Sequence, residues 1–198
     1  MRIAILGSGP LAQPLTQLAE RAGHTVRWMR AAPARPVGDE RPDLVVLAGS
    51  RAAVEPLLSG IAESIPHDAI LVDATTPTQD ERAGTEAKPS ESGSEWITGT
   101  MPHARIVRAF ASVPAEALVA LLNMPESEPA ARVAVPLAGD NGDAKAVVER
   151  FMREIGVDPF DLGALATSYA LGPGGALWGK ALSPVEMLEA VGRLSGDG

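Results

Sequence analysis

Cysteine is absent from the 198 residues, which removes disulfide frameworks, thiolate metal sites and thiol nucleophiles together. Histidine is almost as scarce. His24, His67 and His103 stand far apart without metal-ligand spacing, so no metal is expected. Aromatics make up only 4% of the chain, and the core must therefore come from Ala, Val, Leu and Ile, the residues that parallel α/β sheets bury. An excess of basic charge is missing too. The formal net charge is −8, which argues against nucleic acid as a partner, because neutralising phosphates needs a basic face. No apolar run approaches the roughly 18–20 residues of a spanning helix. The N-terminus enters a strand pattern directly, with no basic region followed by an apolar signal core. These absences together predict a cytoplasmic protein without membrane or nucleic-acid partners.

What is present is an alternation of strand and helix patterns. Short apolar runs at Arg2–Leu6, His24–Met29, Leu44–Ala48, Ala69–Val72, Arg105–Phe110, Arg132–Leu137 and Val157–Leu162 read as strands. Amphipathic periodicity predicts helices over Pro10–Ala22, Arg51–Glu63, Pro114–Leu122, Asp143–Ile155 and Pro184–Leu194, with a short one around Ser94–Thr100. The Pro- and Arg-rich stretch Arg30–Pro42, residues 78–95 and the turn Gly172-Pro173-Gly174-Gly175 read as loops, the last two flexible. Such alternation implies an α/β fold, a doubly wound and mostly parallel sheet. Residues 1–165 form that domain in this reading, and residues 166–198 a helical tail belonging to it and to a homodimer interface.

Gly7-Ser8-Gly9-Pro10-Leu11-Ala12 follows a strand and opens a helix, the context that a G-x-G-x-x-A dinucleotide motif requires. The first glycine permits the tight turn. The second, lacking Cβ, lets a pyrophosphate approach the backbone, and Ala12 allows close helix–strand packing. Unpaired N–H groups at the positive end of the helix dipole would hold the anion, and Pro10 is tolerated in a first turn. The bland alternative is a turn that binds nothing.

A carboxylate about 20 residues past the glycines would accept the ribose hydroxyls of NAD. None stands there: the second strand ends Trp28-Met29-Arg30, the first acid is Asp39, and Arg27, Arg30 and Arg35 lie nearby. An arginine can fork onto a 2′-phosphate, so the pattern predicts NADP(H), resting mainly on Arg30. A merely solvated basic face is the alternative.

Four segments carry a family resemblance: Ile3-Ala4-Ile5-Leu6-Gly7-Ser8-Gly9, Asp73-Ala74-Thr75-Thr76-Pro77, Val107 through Glu116, and Val135-Pro136-Leu137-Ala138-Gly139-Asp140. Through them most of residues 1–165 resembles the NADP oxidoreductases that depend on the deazaflavin coenzyme F-420, a group that also supplies cytosolic domains of ferric reductases. The resemblance implies a Rossmann-type fold and hydride transfer between NADP(H) and a second, small-molecule substrate, coenzyme F-420 among them. It places Ala48, Gly49 and Ser50 beside the cofactor, together with Ala74 and Thr75, and sets Phe110, Ala111, Ser112 and Val113 near the nicotinamide. The family commonly carries a polar side chain where this chain has Ala111. Alternatives are an NADPH-dependent reductase of a small imine or carbonyl compound, and a non-catalytic NADP(H)-binding sensor or scaffold.

His103 and Tyr169 are the candidate proton donors. Their bland alternatives are an exposed loop histidine and a tyrosine packed at a subunit boundary. Trp178 could cover a planar ring or be buried against a partner chain. Asp73 and Asp140, at strand ends, read as turn caps rather than bases.

Overall fold

The structure, a computed structural model, describes residues 1–30, 41–76, 93–124 and 133–196, with side chains as far as residue 193. Arg35, Asp39 and nearly all of the loop expected over residues 78–95 fall outside the described residues.

Seven strands form one sheet: β1 (Arg2–Leu6), β2 (Thr25–Met29), β3 (Leu44–Leu47), β4 (Ile70–Asp73), β5 (Arg105–Ala109), β6 (Ala134–Gly139) and β7 (Asp158–Asp161), in the order β2-β1-β3-β4-β5-β6-β7. All seven coincide with the apolar runs read from the sequence, to within a residue or two. The expected α/β class with a mostly parallel sheet is therefore observed. Strands β1 to β5 pair in parallel; β6 runs antiparallel to β5, and β7 lies parallel to β6.

Strand alternation divides the core. Ile3, Ile5, Leu44, Val46 and Val72 face one side, against α1 (Ala12–Arg21), α4 (Ala115–Leu122) and α5 (Gly142–Glu154). Ala4, Leu6, Val45, Leu47 and Leu71 face the other, against α2 (Arg51–Ile61) and α3 (Glu95–Thr100). Both faces are covered, which is why these strands are near-continuously apolar rather than alternating. The helix ends also follow local chemistry. Ser50 accepts from the Ala53 amide at the start of α2, and Asn141 from the Ala144 amide at the start of α5.

The chain moves outward from β1 to β2, then returns across β1 to β3. The crevice outside the carboxyl ends of β1 and β3 is therefore the topological switch point, where open α/β sheets bind ligands.

The tail corrects one expectation. Because β6 and β7 run opposite to β1–β5, β7 ends at the amino edge of the parallel strands. A 3-10 segment at Leu165–Leu171, not anticipated, then climbs back along β6. Ala170, Leu171 and Leu177 pack on Ala134 together with Met187 of the last helix, α6 (Pro184–Gly196). In the glycine turn 172–175 Gly175 is closely approached: a Cβ there would lie 2.4 Å from the Ala170 carbonyl oxygen. The Leu177 amide donates to that same oxygen at 3.1 Å.

Candidate functional site

The turn from β1 to α1 lies across the turn from β3 to α2. Gly7 has φ of 108°, a region closed to other residues at ordinary cost. A Cβ there would sit 2.5 Å from the Ala48 carbonyl oxygen; one on Gly9 would sit 2.7 Å from the Gly49 Cα. The sequence reading assigned the bare Gly9 to the approach of a pyrophosphate. The structure adds a second reason: another main chain crosses close to Gly9.

The amides sort in the same way. Gly7 N–H donates to Met29 and Gly9 N–H to Ala48. Among the described residues, Ser8 and Leu11 are the turn residues whose N–H groups have no acceptor. Those two amides, rather than the glycines' own, are what the mouth of α1 offers to an anion, at the positive end of the helix dipole.

Two clefts open beside this turn. The larger, about 910 Å³, is lined by Ser8, Gly9 and Pro10, by Gln13 and Gln17 on the outer side of α1, and by Trp28 and Arg30 at the end of β2. Its far wall is Leu122 and Asn123 at the end of α4. Arg21 holds that wall by donating to the Leu121 and Leu122 carbonyls at 2.9 and 3.1 Å. Arg30 is thus brought into the same groove as the free amide of Ser8, as an NADP site would need. Glu20 is the carboxylate of the groove, and it projects from the far end of α1.

The smaller cleft, about 320 Å³, begins where the other ends. Pro10 lines both; Leu11, Thr76, Ala111–Glu116, Trp178 and Gly179 complete it. Trp178 reaches it from the tail of the same chain, because the Gly179 amide donates to the Ser112 carbonyl at 2.8 Å. The chain enters this wall through Phe110, the one non-glycine residue at positive φ (65°) among the described residues. Its ring is fully buried, edge-on to Phe151 at 6.4 Å between centroids. Core packing over-determines the strained backbone and turns Ala111–Val113 outward. Phe110 itself is a core residue and lines neither cleft.

Ser112 is 2% exposed, and its hydroxyl has no hydrogen-bond partner. A buried hydroxyl left unpaired costs about 1–3 kcal/mol.

A buried ion pair stands behind the smaller cleft. Arg108 on β5 lies 3.6 Å from Asp73 on β4, both almost wholly buried. Asp73 also accepts from the Ser94 hydroxyl and, at 3.0 Å, from the Thr75 amide. Asp73 is therefore a turn cap, as expected. Asp140 instead accepts from the Leu165 amide at 2.9 Å, 25 residues further on at the start of the 3-10 segment. No sequence pattern marked Arg108 as the partner of Asp73, because the pairing depends on β4 and β5 being neighbours.

The remaining residues read from the sequence fall differently. Ala48 and Gly49 are buried beneath the glycine turn, and Ser50 is engaged as a helix cap. Ala74 is core, and Thr75 is 6% exposed with its amide on Asp73. His103 lies exposed in the turn before β5, and Tyr169, 36% exposed, sits on the 3-10 segment; neither lines either cleft. Among the described residues no cluster of His, Asp and Glu could hold a metal ion.

No family model matches this chain. Among curated proteins it is similar to Metalloreductase STEAP3 of Rattus norvegicus, at 27% identity over 181 residues. That match takes in 84% of this chain but 35% of the other, so the chain spans about a third of the relative's length. Among solved structures it superposes on a hypothetical protein from Sinorhizobium meliloti with TM-score 0.72 and 20% identity, over 92% of this chain and 95% of that one. It also superposes on a candidate F-420-dependent NADP-reductase from an Arthrobacter species with TM-score 0.65 and 24% identity, over 100% and 94%. These likenesses define the class by fold: an α/β domain of Rossmann type.

Proposed function

We propose that this chain is an NADP(H)-dependent oxidoreductase that transfers a hydride between NADP(H), held along the larger cleft, and a small second substrate in the smaller one. The observation that carries the reading is the meeting of the two clefts at Pro10, on the mouth of α1, where the free amides of Ser8 and Leu11 lie. The residues present fit the cofactor: unpaired amides at the mouth of α1 for the diphosphate and Arg30 for the 2′-phosphate.

NADP(H), when bound, supplies or accepts the hydride. The protein then has to bind, align and exclude water. The wall Ala111–Val113 and the indole of Trp178 do the last two, since they enclose the smaller cleft with apolar surface. Coenzyme F-420 is one substrate for that cleft; an imine or carbonyl compound is another. The sensor reading keeps the same site without turnover, and Ala111, which brings no polar group to the wall, is what favours it.

Calorimetric titration of NADPH and NADH into wild type and Arg30→Ala tests the cofactor. The expected result is tighter binding of NADPH, with the preference lost in the variant. Equal affinities in both proteins overturn the NADP assignment, and no binding of either nucleotide at millimolar concentration overturns the reading altogether. An acceptor screen following NADPH absorbance, with oxidised F-420, flavins, cyclic imines and small carbonyl compounds, separates the enzyme from the sensor.

No helix among the described residues is long and apolar enough to cross a membrane. Val185 and Leu188 on α6, 66% and 62% exposed, are the surface on which the homodimer expected from the sequence would form. Light scattering that shows a monomer with full activity removes it.

A further inference from the structure

The pair Trp28 and Arg30 has a geometry that the glycine turn does not explain. The guanidinium carbon of Arg30 lies 3.8 Å from the centre of the Trp28 ring, at stacking distance. The indole is itself anchored: its Nε1–H donates to the Gly7 carbonyl at 2.7 Å, and one side packs on the α1-face core. Arg30 is exposed, at the end of β2, with both residues in the wall of the larger cleft beside Ser8 and Gly9.

An exposed arginine samples many rotamers and gives up that freedom when it grips an anion. With its central carbon held over the ring, the guanidinium is covered on one side, while its N–H bonds radiate in its own plane, the geometry that forks onto a phosphate. The ring that holds it is tied to the carbonyl of the same turn whose neighbouring Ser8 amide faces the groove. The two anion-binding groups are therefore set at a fixed separation through one side chain. Arg30 also covers the exposed face of the indole, so Trp28 is not a platform for the adenine.

We propose that Trp28 is a positioning residue for cofactor selectivity: it pre-orders Arg30 for the 2′-phosphate and so sets the preference of NADPH over NADH. This rests on the NADP reading above, and the experiment separates the two. Affinities of NADPH and NADH are measured for wild type, Trp28→Leu and Trp28→Phe, and for Trp28→Leu in an Arg30→Ala background, with circular dichroism confirming that each is folded. Trp28→Leu lowers the NADPH-to-NADH preference about fivefold, the size of a cation–π contact at an exposed site. Trp28→Phe keeps a ring and retains most of the preference. In the Arg30→Ala background Trp28→Leu leaves the preference unchanged.

A Trp28→Leu variant that weakens both nucleotides equally, or keeps the wild-type preference, overturns the positioning role and leaves the NADP reading standing. A preference that falls by the same factor with and without Arg30 overturns it too. Wild type that binds both nucleotides equally, or neither, overturns the NADP reading and this inference with it.

Discussion

The two sides of the carboxyl edge of the parallel strands are held by different forces. On the glycine side main chain rests on main chain: Gly7 and Gly9 lie against Ala48 and Gly49, and backbone hydrogen bonds run from the first turn to Met29 and Ala48. On the far side, side chains do the holding. The Asp73–Arg108 pair ties β4 to β5 and, through Ser94, to the start of α3, while the tail closes the wall with Trp178. The first arrangement tolerates almost no added atom. The second tolerates substitution of its surface but not the loss of one charge.

The comparison breaks most sharply at Gly7. Gly7→Ala places a side chain at φ of 108° and 2.5 Å from a carbonyl oxygen, and is expected to cost about 3–5 kcal/mol in strain and overpacking. Urea denaturation reads that cost, and NADPH affinity falls with it. A variant within about 1 kcal/mol of wild type would show that the two turns can separate.

On the other side, Arg108→Met leaves Asp73 buried with the Ser94 hydroxyl and the Thr75 amide as its remaining partners. The expected loss is about 3 kcal/mol, near the low end for breaking a buried pair. It is recovered in large part by also making Asp73→Asn, which removes the uncompensated charge. A double variant no more stable than Arg108→Met would mean the pair acts through packing alone.

Ser112→Ala sharpens the contrast from the opposite direction. Removing a buried hydroxyl that has no partner among the described residues raises stability by about 1 kcal/mol, while NADPH affinity is expected to stay unchanged because the hydroxyl oxygen is shut off from solvent. Thermal melting with and without NADPH checks both halves, and a destabilised protein would show that the hydroxyl is satisfied.

The smallest effect belongs to neither side. His24 has its pKa lowered by burial first and then by the Met1 ammonium, with Arg150 adding to this and Glu154 opposing it. Its native form is thus neutral, and the stability it carries is complete above the ordinary value of 6.5 and lost as pH falls below it. Melting temperature between pH 7.5 and 5.5 should fall more in wild type than in His24→Gln; parallel curves would remove His24 as the cause.

Much of the molecule was legible before the structure. The seven strands, the glycine turn and the amphipathic faces of α1, α2 and α5 all follow from local pattern, since each depends on residues a few positions apart. The candidate site was legible in part. Arg30 and Ser8 fall in the larger cleft, and Ala111, Ser112 and Val113 in the smaller one. Phe110, by contrast, stood in a segment read as a cofactor contact and is core. A ring that follows a strand carries no mark of whether the next backbone angle turns it inward. The 3-10 segment at Leu165–Leu171 was missed because Ala, Thr and Ser give no period there.

By itself, then, the chain's order of residues dictated where backbone must bend and which faces must leave water. Those are short-range consequences of Cβ sterics and apolar spacing. Tertiary structure alone decided that β6 reverses and sends the tail back to the carboxyl edge, and that the Ser8 and Leu11 amides rather than those of Gly7 and Gly9 stay free. It also decided that Trp28 pins Arg30 and that Arg108 meets Asp73. Each of these joins groups far apart along the chain, or sorts near neighbours by which strand lies alongside, and no local pattern encodes that.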